Sequence, residues 1–316
     1  MTDGYGRTIN YLRISVTDRC DMRCIYCMPA EGVNKRTHGE TLSFEEIVEV
    51  AQAAASLGFT KLRITGGEPL VRRGITELCS ALSSIDGIRE LAITTNAARL
   101  AGMAAELKAA GVCRFNISLD TLDAEKFRRI TRLGTLEDTI SGIRAALALN
   151  MPVKLNCVLL RGINDDEIPA LAELTRRYPI DVRFIELMPI GGGMAFEDSA
   201  YMPCSAAVEA LPALESIESG DGVARLYRLP GAQGRIGLIS PLSDHFCSRC
   251  NRLRLTPDGK LKPCLHSGEE ISVRALHGEA LTEALRTAVM HKPARHVELS
   301  ESAMSEAGRN MNEIGG

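Results

Sequence analysis

Residues 11–27 read YLRISVTDRCDMRCIYC, a short strand-like run that ends in three closely spaced cysteines. Within the run, Leu12, Ile14 and Val16 alternate with polar residues, which is the period-two pattern of a strand with one apolar face. The cysteines have the spacing C-x3-C-x2-C, which allows their thiolates to bind one metal centre. The sequence thus predicts a strand that leads directly into a metal-binding loop.

Strand and helix patterns alternate along the first two-thirds of the chain. The predicted strands are Tyr11–Val16, Lys61–Thr65, Glu90–Thr94, Arg114–Leu119, Val153–Leu160 and Val182–Leu187. The predicted helices are Phe44–Leu57, Ile75–Ser84, Ala101–Ala110, Leu136–Leu149 and Asp166–Arg177. Such a succession of strand–helix units predicts a parallel sheet of the α/β class. Because polar side chains share one face of several strands, we expect an incomplete, TIM-like (βα)6 barrel with a polar interior.

The pattern changes after about Met188. Gly191–Gly193 is a flexible break in the sequence. Two further predicted strands flank a Pro-Gly turn, Val223–Leu229 and Arg235–Ile239. We place a domain boundary near Gly220, so that residues 1–220 form the barrel core and residues 221–316 form a C-terminal, cluster-binding extension.

Charge and hydropathy exclude several classes of protein. The net charge of −3 gives no overall basic field for nucleic acid. No apolar run approaches the roughly 18 residues that a membrane helix needs, and the first residues lack the apolar core of a signal peptide. We therefore expect a cytoplasmic protein that binds neither nucleic acid nor membrane. In that compartment the ten cysteines would stay reduced.

A second group of cysteines lies near the C-terminus: Cys247, Cys250 and Cys264. On spacing alone, a zinc site with His245 or His266 as fourth ligand and an iron–sulfur site are about equally compatible with this group. The adjoining strand carries Arg252 and Arg254 on one face. Those arginines, together with the first cysteine group, favour an iron–sulfur cluster beside an anionic substrate.

The first cysteine group resembles the signature of a known family. An aromatic residue, Tyr26, precedes its last cysteine, and Thr65-Gly-Gly-Glu-Pro69 follows the second predicted strand. Together these motifs resemble those of the radical S-adenosylmethionine (SAM) enzymes. The resemblance implies a 4Fe-4S cluster with one open iron that binds SAM and cleaves it to a 5′-deoxyadenosyl radical. The glycines allow close approach of the backbone to a ligand, and Glu68 offers an acceptor for an ammonium group.

A second resemblance covers nearly the whole chain. Residues 247–256, CSRCNRLRLT, resemble a segment of the GTP 3′,8-cyclase family of molybdenum cofactor biosynthesis. Further matches are Tyr11–Asp18, Thr94–Asn96, Phe184–Pro189 and the terminal Gly315-Gly316. The resemblance implies a lyase that abstracts the C3′ hydrogen of GTP and cyclises the ribose radical onto guanine C8. The product would be (8S)-3′,8-cyclo-7,8-dihydroguanosine 5′-triphosphate, in the first step of molybdopterin synthesis.

The same resemblance implies roles for individual residues, and two 4Fe-4S clusters. One cluster is held by Cys20, Cys24 and Cys27, and the other by Cys247, Cys250 and Cys264. The implied SAM contacts are Tyr26, Gly67, Ser118 and Met188. The implied GTP contacts are Arg13, Arg63, Thr94, Lys154, Arg252, Leu253 and Arg254. The catalytic tail is Gly315 and Gly316, which would reach into the barrel mouth.

The resemblance also implies partners and a quaternary state. An electron donor such as flavodoxin or ferredoxin would reduce the protein, and a cyclic pyranopterin monophosphate synthase would consume its product. The chain would act as a monomer or homodimer. Two other functions remain alternatives, namely a peptide-modifying radical SAM enzyme with an auxiliary cluster and a zinc-stabilised, nucleotide-binding regulator.

One residue departs from the family pattern. Ala97 stands where the family usually has glycine after Thr-Thr-Asn. If the backbone there requires a positive φ angle, we expect alanine to cost about 1 kcal/mol.

Overall fold

The computed structural model describes residues 1–33, 36–191, 200–219, 222–297, 299 and 305–315. In this part of the chain, twelve strands form one sheet. The strands are β1 (Tyr11–Ser15), β2 (Lys61–Thr65), β3 (Glu90–Thr95), β4 (Arg114–Ser118), β5 (Val153–Leu159), β6 (Ile180–Glu186), β7 (Glu215–Ile217), β8 (Arg225–Arg228), β9 (Ile236–Ile239), β10 (Arg252–Leu255), β11 (Lys260–Lys262) and β12 (Ile271–Ser272).

Helices follow most of the first six strands. The helices are α1 (Phe44–Ser56), α2 (Ile75–Ser83), α3 (Leu100–Ala109), α4 (Ala124–Thr131), α5 (Leu136–Ala148), α6 (Ile168–Arg177), α7 (Ser205–Glu209), α8 (Gly278–Met290) and α9 (Met311–Ile314). Ser43 and Glu46 form a capping box at the start of α1. Among the described residues, no helix combines the length and the hydrophobicity needed to cross a membrane.

The central eight strands are parallel and do not close into a full barrel. Their order is β10-β1-β2-β3-β4-β5-β6-β9, and each adjacent pair is parallel. Antiparallel strands extend both edges, β11 and β12 beyond β10, and β8 and β7 beyond β9. The prediction of an incomplete, TIM-like α/β barrel is confirmed, and β9 and β10 add a parallel strand at each side of its six-strand core.

The chain beyond residue 220 contributes strands to this same sheet. β9 pairs with β6, and β10 pairs with β1. Residues 220 and 221 lie outside the described residues, as do two residues of the predicted break at Gly191–Gly193. The boundary near Gly220 therefore stays a prediction.

Alternation along the strands separates an apolar layer from a polar interior. In β5, Val153 and Leu155 are buried in the hydrophobic core, whereas Lys154 and Asn156 are only half-buried. Helices cover the apolar face because each presents a buried apolar stripe of its own, as Ile47, Val50, Ala51 and Ala54 do in α1. The opposite face of the sheet lines the interior.

The loop after β3 explains how Ala97 is tolerated. The backbone of Ala97 has φ +63°, a left-handed conformation of the kind expected at a position where the family usually has glycine. Its side chain is fully buried. A left-handed conformation costs a non-glycine residue about 1–2 kcal/mol, but burial of one methyl group stabilises by about 0.8 kcal/mol. The two effects largely offset each other. Gly142 of α5 lies against Ala97 and Leu100, so that α3 and α5 pack closely beneath this loop.

We expect Gly142→Ala to lower the free energy of unfolding by about 1–3 kcal/mol, because a Cβ there would overlap the Ala97 backbone carbonyl. Gly102→Ala in α3 is the matched control. No atom lies within 4 Å of a Cβ at that position, so alanine should stabilise the helix by up to about 1 kcal/mol. Urea unfolding of both variants measures the difference. Equal effects of the two substitutions would contradict close packing at Gly142.

Candidate functional site

A cavity of about 140 Å³ lies at the carboxyl ends of β1 to β4. The three cysteines of the first group line it, together with Tyr26, Gly67 and Ser118. The fourth implied SAM contact, Met188, instead packs in a small apolar cluster with Ile190 and Ile314. The carboxyl ends of parallel strands are where barrel folds place their active sites.

The cysteine loop is fixed by α4, a helix that the sequence analysis did not predict. The N–H groups of Arg23 and Ile25 donate to the carbonyls of Thr131 and Ile130, each at 2.9 Å. The Arg132 guanidinium donates at 3.0 Å to the Arg23 carbonyl and also to the Met28 carbonyl. These bonds hold the loop in one conformation, so the cysteines are pre-arranged.

The residues present fit a thiolate-bound cluster at this cavity. All three cysteines are free and partly buried. Burial raises the pKa of Cys20 and of Cys27 to about 12, and that of Cys24 well above its usual value. The metal-free thiols are therefore protonated at neutral pH, and binding of a metal must release those protons.

The Gly-Gly-Glu-Pro segment closes the cavity floor. A Cβ on Gly67 would overlap the Arg19 carbonyl, so glycine is required where the two loops meet. Glu68 accepts hydrogen bonds from the N–H of Leu70 at 2.9 Å and of Asn96 at 2.7 Å, and from Thr95 Oγ1 at 2.8 Å. Its carboxylate thus anchors the loop after β3. The sequence alone predicts instead that this carboxylate accepts a hydrogen bond from a ligand ammonium group.

A buried carboxylate that the sequence analysis missed also faces the cavity. The Tyr26 hydroxyl donates to Asp120 Oδ2 at 2.6 Å, and the Val158 N–H donates to Asp120 Oδ1 at 2.8 Å. Burial raises the pKa of Asp120 to about 6. This pair orients the Tyr26 ring. Asp120 ends the polar face Asn116-Ser118-Asp120, and that alternation was the available signal.

A second cavity, of about 320 Å³, occupies the interior near the amino ends of the strands. Its charged lining is mainly cationic: Lys61, Arg63, Arg114, Lys154, Arg183, Arg235 and Arg252, with Glu90. The strand register explains the concentration of charge. Arg13 of β1 lies opposite Arg63 of β2 on one side and opposite Arg254 of β10 on the other. Three arginines therefore form a row across three neighbouring strands.

These cations are short of anionic partners. Burial, together with the charges of neighbouring arginines, lowers the pKa of Arg183 to about 9 and that of Arg254 to about 10. Burial and the charge of Arg183 lower the pKa of Lys154, and the Asp181 carboxylate acts in the opposite direction. The resulting pKa is about 8. Lys154 Nζ lies 3.2 Å from Asp181, which also pairs with Arg235. An interior with this excess of positive charge is suited to a polyanion.

Unpaired polar atoms point to a ligand as well. Buried atoms without a hydrogen-bond partner among the described residues include Tyr11 Oη, Arg63 Nε, Thr94 Oγ1 and Asn156 Oδ1. A buried polar atom left unpaired costs about 1–3 kcal/mol. A polar ligand in the interior would satisfy them.

The implied GTP contacts do not all share one location. Thr94 lines the cysteine-side cavity. Leu253 is fully buried in the hydrophobic core, so only its backbone can face the interior. Arg183, Arg114 and Tyr11 were missed. Arg183 alternates with Val182 and Phe184 along β6, and that alternation was the available signal.

The second cysteine group lies beside this row of arginines. Cys250 precedes β10 and Cys264 follows β11, and continuing their antiparallel register places Cys264 opposite Arg252. Burial acts to raise the pKa of Cys250, but the charges of Lys292 and Arg252 lower it to about 7. A site that favours thiolates suits a metal centre.

The C-terminal segment enters the barrel mouth. Asn312 lines the cysteine-side cavity together with Cys27, and its side chain donates to the Asp18 carbonyl at 2.9 Å. Arg254 donates to the Gly315 carbonyl. Gly315 is buried with φ +82°, and a Cβ there would overlap Thr65 Oγ1. Gly316 lies outside the described residues.

Two family models together match most of the chain. The Radical SAM superfamily model matches residues 14–175, and the Molybdenum Cofactor Synthesis C model matches residues 180–298. The cysteine loop and β2 to β5 fall within the first match. The second cysteine group and β10 fall within the second.

The chain is similar in sequence to GTP 3′,8-cyclases over all or nearly all of its length. The chain is 49% identical to a GTP 3′,8-cyclase of Alkaliphilus oremlandii, with 100% of both chains covered. It is 50% identical to a GTP 3′,8-cyclase of Peptoclostridium acidaminophilum, covering 94% of this chain and 93% of that one. The crystal structure of Streptococcus suis SuiB bound to S-adenosylmethionine has a similar fold, with a TM-score of 0.61 at 16% identity over 89% of this chain and 68% of that one.

The pKa of Lys154 leads to a test with tripolyphosphate as the anion. Because the ammonium group loses its proton near pH 8, the affinity of wild-type protein should fall about tenfold relative to Lys154→Arg between pH 7 and pH 9. Arginine keeps its charge over this range. Calorimetric titration measures the affinity of both proteins at each pH. Comparing the two affinities at the same pH removes the effect of the ionisation of tripolyphosphate itself. Parallel pH profiles would show that Lys154 does not contact the anion.

Proposed function

The chain belongs to the GTP 3′,8-cyclase family of radical SAM enzymes, and from that premise we propose how its residues share the first step of molybdenum cofactor biosynthesis. In this reaction GTP loses its C3′ hydrogen, and the ribose radical cyclises onto C8 of guanine. The observation that carries the proposal is the content of one barrel interior. A cysteine-lined cavity lies at the carboxyl ends of its strands, and a cavity lined mainly by cations lies nearer their amino ends.

The first cavity would hold one 4Fe-4S cluster on Cys20, Cys24 and Cys27, with SAM at the open iron. When bound, this pair supplies the 5′-deoxyadenosyl radical that abstracts the C3′ hydrogen. Around it, Gly67 leaves room for the ligand backbone and Ser118 offers a hydroxyl. Tyr26, fixed by Asp120, bounds the site and excludes water from it.

The arginine row would hold the triphosphate of GTP. Arg13, Arg63 and Arg254 lie in register, so their guanidinium groups can contact neighbouring phosphates without large movement. Lys154 and Arg252 extend the same cavity. Charge-assisted hydrogen bonds contribute about 1.5–3 kcal/mol each, and here they would also relieve repulsion between the cations.

The second cysteine group would hold the other 4Fe-4S cluster on Cys247, Cys250 and Cys264. Three protein ligands would leave one iron open, and the adjoining cavity would hold the guanine base beside it. The arginines then bind the triphosphate while the base is held at its other end. This division orients the ribose toward the first cavity.

The tail would complete the site. Asn312 contacts the first cysteine loop, and Gly315 contacts the arginine row. We infer that Gly315 and Gly316 arrange the substrate after hydrogen abstraction, because Gly315 lies against Thr65, a residue that lines the cysteine-side cavity.

Partners and compartment follow from this chemistry. The clusters would accept electrons, and a flavodoxin or ferredoxin is suited to donate them. A cyclic pyranopterin monophosphate synthase would consume the product. Ten free thiols and two clusters favour a reducing compartment, the cytoplasm. We propose a monomer or homodimer, with the barrel core ending near residue 220.

Arg252→Ala should weaken GTP binding by about 1.5–3 kcal/mol, or about 10- to 150-fold in Kd, because one charge-assisted contact to phosphate is lost. Guanosine, which has no phosphates, should lose much less. Arg176→Ala, in an exposed pair with Glu173 on α6, is the control and should leave both affinities unchanged. Equilibrium binding to the anaerobic, cluster-loaded enzyme measures the effect. An equal loss for guanosine would place Arg252 at the base instead.

The tail is tested by two alanine substitutions at glycines of positive φ. Gly315→Ala places a Cβ against Thr65, whereas at Gly308 the nearest atom, the Glu306 carbonyl oxygen, is 3.9 Å away. Both should cost about 1 kcal/mol in stability. Only Gly315→Ala should reduce the ratio of cyclised nucleotide to 5′-deoxyadenosine, by about 100-fold. The reason is that displacing a bound substrate by about 1 Å from its reactive position can lower the reaction rate by about that factor.

The assay quantifies 5′-deoxyadenosine and cyclised nucleotide in parallel, in the dithionite-reduced enzyme with GTP. Iron content of both variants should equal that of wild type. If Gly315→Ala gives the same product ratio as Gly308→Ala, the tail does not position the substrate.

A further inference from the structure

Two histidines and a cysteine converge beside the second cysteine group. The candidate ligand atoms of His245, Cys247 and His296 all lie within 4.8 Å of one another. His245 Nδ1 and His296 Nε2 are 3.1 Å apart, and the two rings meet edge-on with centroids 4.6 Å apart. Among the described residues, this is the one group of three such side chains at that spacing. Cys250 and Cys264 do not belong to it.

The contacts of His296 orient its ring toward this point. Its Nδ1 lies 2.6 Å from the Val297 carbonyl oxygen, which suits a hydrogen on Nδ1. Nε2 lies 3.1 Å from the Pro241 carbonyl oxygen as well as 3.1 Å from His245 Nδ1. Several electron-pair donors thus meet at one point, where either a proton on Nε2 or a metal ion would satisfy them.

The arrangement has the features of a mononuclear metal site. Zinc binds histidine nitrogen and cysteine sulfur at about 2.0–2.3 Å, so two tetrahedral nitrogen ligands lie roughly 3.3 Å apart. The observed 3.1 Å is close to that separation. A ligating histidine also commonly donates its other N–H to a backbone carbonyl, as His296 does to Val297.

We propose that the chain binds one divalent ion of the zinc class through His245 Nδ1, Cys247 Sγ and His296 Nε2 when its second cluster is not assembled. The fourth position is open to water. The proposal rests on the proposed function only in taking Cys247 as a cluster ligand. Because one thiolate cannot serve both centres, zinc and the second cluster exclude each other at Cys247.

A third imidazole nearby provides the control. The His266 ring lies 4.7 Å from that of His296, but its Nδ1 is 3.2 Å from Ser305 Oγ, and it does not belong to the three-residue group. His266→Ala should therefore leave zinc affinity unchanged. Cys250→Ser and Cys264→Ser should also retain it, although both remove ligands of the cluster.

The experiment titrates Zn²⁺ and Co²⁺ into the full-length, cluster-free chain under anaerobic conditions. Wild-type protein should bind one ion more than Cys247→Ser does, with additional cobalt–thiolate charge-transfer absorption that Cys247→Ser lacks. Cys247→Ser and His296→Ala should weaken zinc binding about 100-fold or more, since even loss of an outer contact to a metal ligand costs 10- to 100-fold. His245→Ala, at an exposed side chain, supplies a second variant if His296→Ala fails to fold.

Iron analysis separates this proposal from the proposed function. Reconstituted wild-type protein and His245→Ala should both hold about eight irons, whereas wild-type protein preloaded with zinc should hold about four. A wild type that never reaches eight irons would count against the second cluster, without changing the zinc result. Zinc binding that depends on Cys250 and Cys264 but not on the histidines would overturn the proposal, as would the absence of tight binding.

Discussion

The pairing of β10 with β1 is the constraint on which the interior depends. It sets Arg254 beside Arg13, which already lies beside Arg63. Neighbouring strands are about 4.8 Å apart, so at an effective dielectric constant of about 20 each adjacent pair of charges repels by about 3 kcal/mol. Burial adds to the cost of each charge, and it is the largest reason that the pKa values of Arg13 and Arg254 are lowered. A fold that keeps such a row gains from a polyanion that neutralises it. Binding of a polyanion there would stabilise the barrel interior, because its negative charges would relieve the repulsion.

The same pairing brings the two ends of the chain to one place. β1 starts at residue 11, and β10 ends at residue 255, yet they are neighbours in the sheet. The first cysteine loop follows β1, and the second cysteine group flanks β10 and β11. Each cysteine group therefore lies beside an arginine row built from both halves of the chain.

Local patterns predicted much of this structure, and long-range pairing did not follow from them. Six parallel strands were predicted within one or two residues because alternation and helical spacing are local properties. Arg13, Arg63 and Lys154 were identified as interior residues for the same reason. The position of β10 was not predicted, since nothing in residues 252–255 specifies β1 as a neighbour. Glu68 was expected to face a ligand, but its three protein hydrogen bonds come from residues after β2 and β3 that the sequence does not place together. Helix α4 and Asp120 were missed because their roles appear only when the cysteine loop packs against them.

The C-terminal segment shows how a short polar motif holds a chain end in the barrel mouth. Chain ends usually fray, and terminal glycines favour that outcome. Here Arg309 donates to Glu270 at 2.6 Å and to Asp258 at 3.0 and 3.1 Å, which anchors the segment to the β10–β12 region. Asn310 and Glu313 then form a capping box that starts α9, a single turn. The Asn312 side chain donates to the Asp18 carbonyl, just before the first cysteine group, and Arg254 donates to the Gly315 carbonyl. A helical turn anchored by Arg309 is thus bonded both beside the first cysteine loop and to the arginine row, so the end of the chain is held against both instead of fraying.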